Sequence, residues 1–153
     1  MNVSIEDRIA LRLAAVAHIG PYDRISEAFQ RLASIVGPAG LMREGTLMLA
    51  VYYDDPHTTS AEQLRSDACI SVPDGVGLSA GVVEKRLPSG RYARTTHVGA
   101  YTSLGDTWCR LTREWLPGSG YRRGDAPSFE VYRNTPSDTP ADELRTDLYV
   151  SIA

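Results

Sequence analysis

Glu130 lies in the run Pro127-Ser128-Phe129-Glu130-Val131-Tyr132, a single acid among aromatic residues on a stretch with strand character. A carboxylate beside tyrosines suits an organic cation. The acid supplies charge, and each ring adds a cation–π contact worth about 0.5–2 kcal/mol. Strand alternation sends Glu130 and Tyr132 to one face and Phe129 and Val131 to the other, the helix-covered core. On the neighbouring strand Leu148 and Val150 are expected in that core, and Tyr149 is expected to join Glu130 and Tyr132. In the first half of the chain, Tyr52 and Cys69 are expected on the same open side. Trp115 closes an apolar helical stripe, either as core packing or as an aromatic wall. The candidate ligand-binding set is therefore Glu130, Tyr132, Tyr149, Trp115, Tyr52 and Cys69. Two alternatives stay open: Glu130 solvated on an exposed sheet face, and Tyr52 and Tyr132 as scaffold.

The same carboxyl group is the one candidate for catalysis. An aromatic-lined glutamate with a raised pKa can act as a general acid or orient a water. The chain has no Gly-x-Ser-x-Gly elbow, no Walker-type phosphate loop and no dinucleotide fingerprint, so no cofactor is implied. His18, His57, His97, Cys69 and Cys109 lack short zinc-type spacing, so no metal site is expected. His18 and His97 each precede a glycine and a tyrosine at a strand-to-helix turn, where a structural hydrogen bond to the turn is expected. Cys69 and Cys109 are expected as two reduced thiols.

The elements that position these residues emerge from self-comparison. His18-Ile19-Gly20-Pro21-Tyr22 matches His97-Val98-Gly99-Ala100-Tyr101 at an offset of 79, as do Phe29 with Trp108 and Leu32 with Leu111. One residue is then inserted. At an offset of 80, residues 50–72 match 130–152 at nine of 23 positions, against roughly one or two by chance. Glu130 corresponds to Ala50, so only one copy carries the acid. Each half reads as strand, helix, strand, strand: 8–17, then a helix with Ile25, Phe29, Leu32 and Val36 on one stripe, then 47–53 and 67–72. The second half repeats this with Leu104, Trp108, Leu111 and Trp115 on its helix, then 128–133 and 147–152, while 82–95 holds one or two strands. Ser103 and Asp106 resemble a capping box. The expected fold is α+β: tandem duplicated βαββ modules, about 1–78 and 79–153, in one domain with pseudo-two-fold symmetry. A curved antiparallel sheet would carry two helices on one face and a ligand groove on the other, where the halves meet.

The net charge is −3 and Lys85 is the only lysine, so the positive patch that direct nucleic-acid binding needs is missing. No run of about 18 apolar residues suggests a membrane span, and the N-terminus lacks the basic and apolar segments of a signal peptide, which points to the cytoplasm.

Three elements carry a resemblance: His-x-Gly-x-Tyr in both halves, the segment Trp115 to Tyr121, and Phe129-Glu130-Val131-Tyr132 followed by Leu144-Arg145-Thr146-Asp147-Leu148-Tyr149-Val150. Together they resemble the GyrI-like family over nearly the whole chain. That family includes DNA gyrase inhibitory proteins and the effector-binding domains of AraC- and MerR-type regulators. The resemblance implies a duplicated βαββ fold, a lipophilic and often cationic small-molecule ligand, and a ligand-facing glutamate matched here by Glu130. It also implies two other activities: inhibition of DNA gyrase by protein contact, and hydrolysis of cyclopropane-bearing electrophilic toxins with Glu130 as the acid.

Overall fold

The computed structural model describes all 153 residues. In chain order the strands and helices are β1 (Ser4–Arg8), β2 (Leu11–Ile19), α1 (Ser26–Val36), β3 (Met48–Tyr52), β4 (Arg65–Ser71), β5 (Val83–Leu87), β6 (Gly90–Val98), α2 (Leu104–Cys109), α3 (Leu116–Gly118), β7 (Ser128–Tyr132) and β8 (Arg145–Ser151). Between α2 and α3 the helix continues as a π-helical segment, Arg110–Trp115. The fold is α+β, with antiparallel sheets throughout. No helix is long and apolar enough to cross a membrane.

The chain forms two compact units: Ala10–Leu87, and Met1–Ile9 together with Pro88–Ala153. In the first, β2 pairs with β4 and β5, and β4 with β3, giving the order β5-β2-β4-β3. In the second, β6 pairs with β1 and β8, and β8 with β7, giving β1-β6-β8-β7. Both units thus have the same strand order and one main helical arm. Their boundaries differ from those of the sequence repeat, because β1 belongs to the sheet of β6 and β5 to the sheet of β2. The expected first strand, 8–17, is β2, and a further strand, β1, precedes it. β1 reads Ser-Ile-Glu-Asp-Arg, with a single apolar residue and no alternation to find, as befits a polar edge strand.

The central strands are buried on both faces. In β2 the residues Leu13, Ala14, Ala15 and Val16 are all buried, so the run is nearly continuous. On α1 the buried positions Ala28, Leu32 and Val36 recur every four residues. The second helical arm departs from the expected continuous stripe. Leu111 and Leu116 are its buried residues, five apart rather than four, and the Leu116 N–H donates to the Leu111 carbonyl, an i to i+5 bond. Leu116 therefore occupies the inward place that regular spacing assigned to Trp115, and Trp115 is only partly buried against the cluster of Ala93, Leu111, Leu116, Leu148, Val150 and Ile152. The inserted residue of the repeat lies in this turn: Leu32 to Val36 spans four residues, Leu111 to Leu116 five. Ser103 does not cap its helix; its hydroxyl donates to the Ala100 carbonyl at 2.9 Å.

Candidate functional site

Strands β7 and β8 set the site. Their register puts Glu130 opposite Leu148 and Phe129 opposite Tyr149. Cross-strand partners share a face, so Glu130 shares its face with Leu148, which packs with Leu111 and Leu116 of the helical arm. Glu130 therefore points to the helix side of its sheet and is 1% exposed. The Trp108 indole Nε1–H donates to its Oε1 at 2.9 Å. Tyr132, two residues on, keeps to the same face, and its ring lies 5.5 Å from that of Tyr101. The Glu130 charge helps hold the Tyr101 phenol above its ordinary pKa, after the larger effect of burial. The site the structure builds is thus one buried carboxylate, an indole donor and two tyrosines. Trp108 and Tyr132 are half-buried and Tyr101 is exposed.

Tyr149 is not among them. It lies on the other face of the sheet, stacked on Phe129 at 4.5 Å and 10°, with Tyr92 edge-on to both. The Arg8 guanidinium lies 4.6 Å from the Tyr149 ring centre, and its Nη1 donates to the Tyr149 hydroxyl at 2.9 Å. The expected grouping of Glu130 with Tyr149 is therefore corrected, as is the assignment of Phe129 and Val131 to the helix-covered face. Both faces of this sheet are buried, so alternation separates the residues into two sets without saying which set meets the helix. The same parity separates Tyr52 from Cys69. Tyr52 is opposite Ser66, on the face of Ala50 and Ala68, whereas Cys69 is opposite Leu49 on the other face. Cys69 is fully buried, and burial pushes its thiol pKa up. Trp115 stacks on Tyr121 at 6.3 Å and 21°, at the margin of the helix-side core.

Trp108 and Tyr101 are the site residues that sequence reasoning passed over. In the sequence Trp108 stands only as part of the apolar helical stripe and Tyr101 only as the tyrosine of the histidine turn. The signal was a paired exchange: where the first half has Phe29 and Ala50, the second has Trp108 and Glu130. A ring that gains an N–H donor accompanies an alanine that becomes an acceptor.

A profile of the GyrI-like small molecule binding domain matches residues 1–153. The chain belongs to that family. A DNA gyrase inhibitor of Erwinia billingiae is 31% identical over 160 residues, covering all of this chain and 98% of the relative. A probable transcriptional regulator, YgiV of Escherichia coli K12, is 38% identical over 104 residues, 67% of this chain and 65% of that protein; the match thus spans just under two thirds of the regulator. Among solved structures, SAV2435 bound to tetraphenylphosphonium superposes with a TM-score of 0.72 at 15% identity, covering 100% of this chain and 94% of that one.

In this GyrI-like chain the histidine turns do serve the fold. Each His ring sends its Nε2–H to a turn carbonyl, His18 to Pro21 at 3.0 Å and His97 to Ala100 at 3.1 Å. Gly20 and Gly99 take φ of 133° and 134°, a region side chains disfavour. That conformation aims their N–H groups at the carbonyls of Leu64 and Leu144, each at 2.8 Å.

Proposed function

We propose that the chain binds lipophilic organic cations, with Glu130 as the counter-charge and Trp108, Tyr101 and Tyr132 as the aromatic surround. The observation that carries this reading is a carboxylate 1% exposed whose Oε1 accepts from an indole N–H. At such a depth a charge interacts with an arriving cation far more strongly than in water. Rings presented beside it add contacts of about 0.5–2 kcal/mol each. Membership of a small-molecule-binding family and the tetraphenylphosphonium held by a protein of the same fold support the choice of ligand. Trp115, with Tyr121 stacked on it, extends the aromatic surface along the same helical arm. Tyr149, Tyr52 and Cys69 are left to packing.

Isothermal titration of tetraphenylphosphonium into the wild type and Glu130→Gln tests this. Removing one partner of a buried charge pair costs about 2–5 kcal/mol, so Glu130→Gln is expected to weaken binding at least ~30-fold while keeping the fold. Equal affinity in the two proteins sinks the proposal.

A second reading is favoured by the 31%-identical relative named a DNA gyrase inhibitor: protein contact with gyrase. It predicts that the purified chain inhibits gyrase supercoiling and that Glu130→Gln inhibits equally well. Absence of inhibition at a large molar excess of the chain over gyrase removes it.

A further inference from the structure

Four positions change together between the two halves. Ala28, Phe29, Ala33 and Ala50 of the first correspond to Thr107, Trp108, Thr112 and Glu130 of the second. In the structure hydrogen bonds join Thr112, Trp108 and Glu130 in series, and Thr107 reaches the shared His97. The Thr107 hydroxyl is 2.7 Å from His97 Nδ1. Since His97 Nε2 carries the hydrogen that goes to the Ala100 carbonyl, Nδ1 is the acceptor and Thr107 the donor. Trp108 follows directly and donates to Glu130. One turn later the Thr112 hydroxyl donates to the Trp108 carbonyl at 2.8 Å. His18 keeps only the turn bond in the first half, because Ala28 offers no hydroxyl where Thr107 does. A set of four polar gains confined to one half, each bonded to a neighbour that also belongs to the half with the acid, is not what fold maintenance requires. The first half builds the same strand order and a regular helix without them.

We infer that Thr107 and Thr112 are positioning residues for Trp108, fixing the angle at which its indole N–H meets Glu130. This rests on the cation-binding reading above. The two hydroxyls act on Trp108 from opposite sides. Thr107 ties the preceding residue to the rigid histidine turn. Thr112 ties the carbonyl of Trp108 itself at the point where the helix passes from α to π. A threonine bonded back to the carbonyl four residues earlier bends a helix, and a π turn within an α-helix often marks a functional site. The extra residue then lets Leu116 enter the core while Trp108 stays over Glu130, so the indole is placed without giving up the inward leucine. Loss of the ties frees Trp108 to adopt other rotamers, and a ligand must then order it. Affinity falls through positioning, with every group that faces the ligand still present.

The test uses Thr107→Val, Thr112→Val and the conservative Thr112→Ser in the full chain. Two readouts are taken: tetraphenylphosphonium affinity by calorimetry, and the Trp108 indole N–H resonance in the ligand-free protein, identified by its absence from Trp108→Phe. A hydrogen bond worth about 1 kcal/mol corresponds to about a fivefold loss of affinity. Each valine variant is expected to show that loss and a moved or broadened indole resonance, with Thr112→Ser restoring both. Valine variants with wild-type affinity and an unmoved indole resonance overturn the inference. If the wild type itself fails to bind tetraphenylphosphonium, the cation-binding reading falls, while the indole resonance still decides whether the threonines position Trp108. Should a valine variant fail to fold, Thr112→Ser and Thr112→Ala supply the same comparison.

Discussion

The two helical arms of this molecule carry out the same packing task with different chemistry. α1 is a regular helix with Leu32 and Val36 inward, and β3 of the same unit has Ala50 where β7 has Glu130. The other arm keeps Leu111 and Leu116 inward, adds a residue through a π turn, and faces a sheet that offers Glu130. Tyrosines show the same divergence. Tyr22 and Tyr52 are in ring contact at 4.6 Å, and the Tyr22 hydroxyl is anchored to the carbonyls of Asp54 and Arg65 at 2.8 and 3.2 Å. Tyr101 and Tyr132 keep the ring contact, but no such anchor holds the Tyr101 hydroxyl, which feels the charge of Glu130 instead. One half shows what the scaffold needs, and the other shows what has been added to it. The tyrosine pairs are common to both halves, and the differences that bear on the proposed site are Glu130 and Trp108.

Copying the acid alone into the first half should break the comparison most severely. Ala50 is fully buried, and Ala50→Glu forces in volume and an uncompensated charge at a cost of about 3 kcal/mol or more. Adding Phe29→Trp should return about 1.5–3 kcal/mol, the value of a hydrogen bond to a charged group. Chemical denaturation of the single and double variants reads both numbers. A double variant no more stable than Ala50→Glu shows that the two halves are not equivalent at these positions.

Trp108→Phe makes the reverse change and leaves Glu130 short of its indole donor, a loss of about 1.5–3 kcal/mol visible in the same denaturation curves. Coupling to Glu130→Gln in a double-mutant cycle separates this bond from the packing of the ring. The tyrosines should differ by less. Tyr22→Phe is expected to lose about 1 kcal/mol, and Tyr101→Phe less than about 0.5 kcal/mol. Equal losses in the two variants mean that Tyr101 has a hidden structural anchor.

The smallest effect is a pH difference. Asp54 accepts from the Arg65 guanidinium at 2.9 Å and from the Arg65 backbone N–H at 2.8 Å, and these bonds, the guanidinium first, hold its carboxyl below the ordinary pKa. The equivalent Asn134 accepts from the Arg145 backbone N–H at 2.9 Å and does not titrate. A depressed carboxyl stabilises the fold above its unfolded pKa, and that contribution disappears as pH falls through the folded value. Asp54→Asn should therefore lower the melting temperature slightly at pH 7, and the gap should narrow as pH falls through the folded pKa of Asp54. A difference that persists undiminished at pH 2 rules out titration of Asp54 as its source.

Much of this was legible in the chain. The repeat, the two helices and the singular Glu130 can all be read from residue types and spacing. Three things were not. The edge strand β1 has no apolar period to detect. The choice of which face of β7 meets the helix is invisible when Phe129, Glu130, Val131 and Tyr149 are all buried, because hydrophobic pattern can assign a face only where one side is wet. Tyr149 was placed beside Glu130 for that reason. The π turn defeats periodicity directly, since 3.6-residue spacing runs Trp108, Leu111, Trp115 inward and one inserted residue hands the last place to Leu116. The insertion itself was visible as the change of offset from 79 to 80; its location within the helix was not.

Charge recognition by Glu130 is tested most directly by a neutral isostere of the ligand. Calorimetric affinities of tetraphenylphosphonium and of uncharged tetraphenylsilane, in a cosolvent that dissolves both, give the preference for charge in the wild type and in Glu130→Gln. A preference for the cation of at least ~30-fold is expected in the wild type, collapsing toward unity in the variant. A preference that is equal in the two proteins contradicts charge recognition by Glu130.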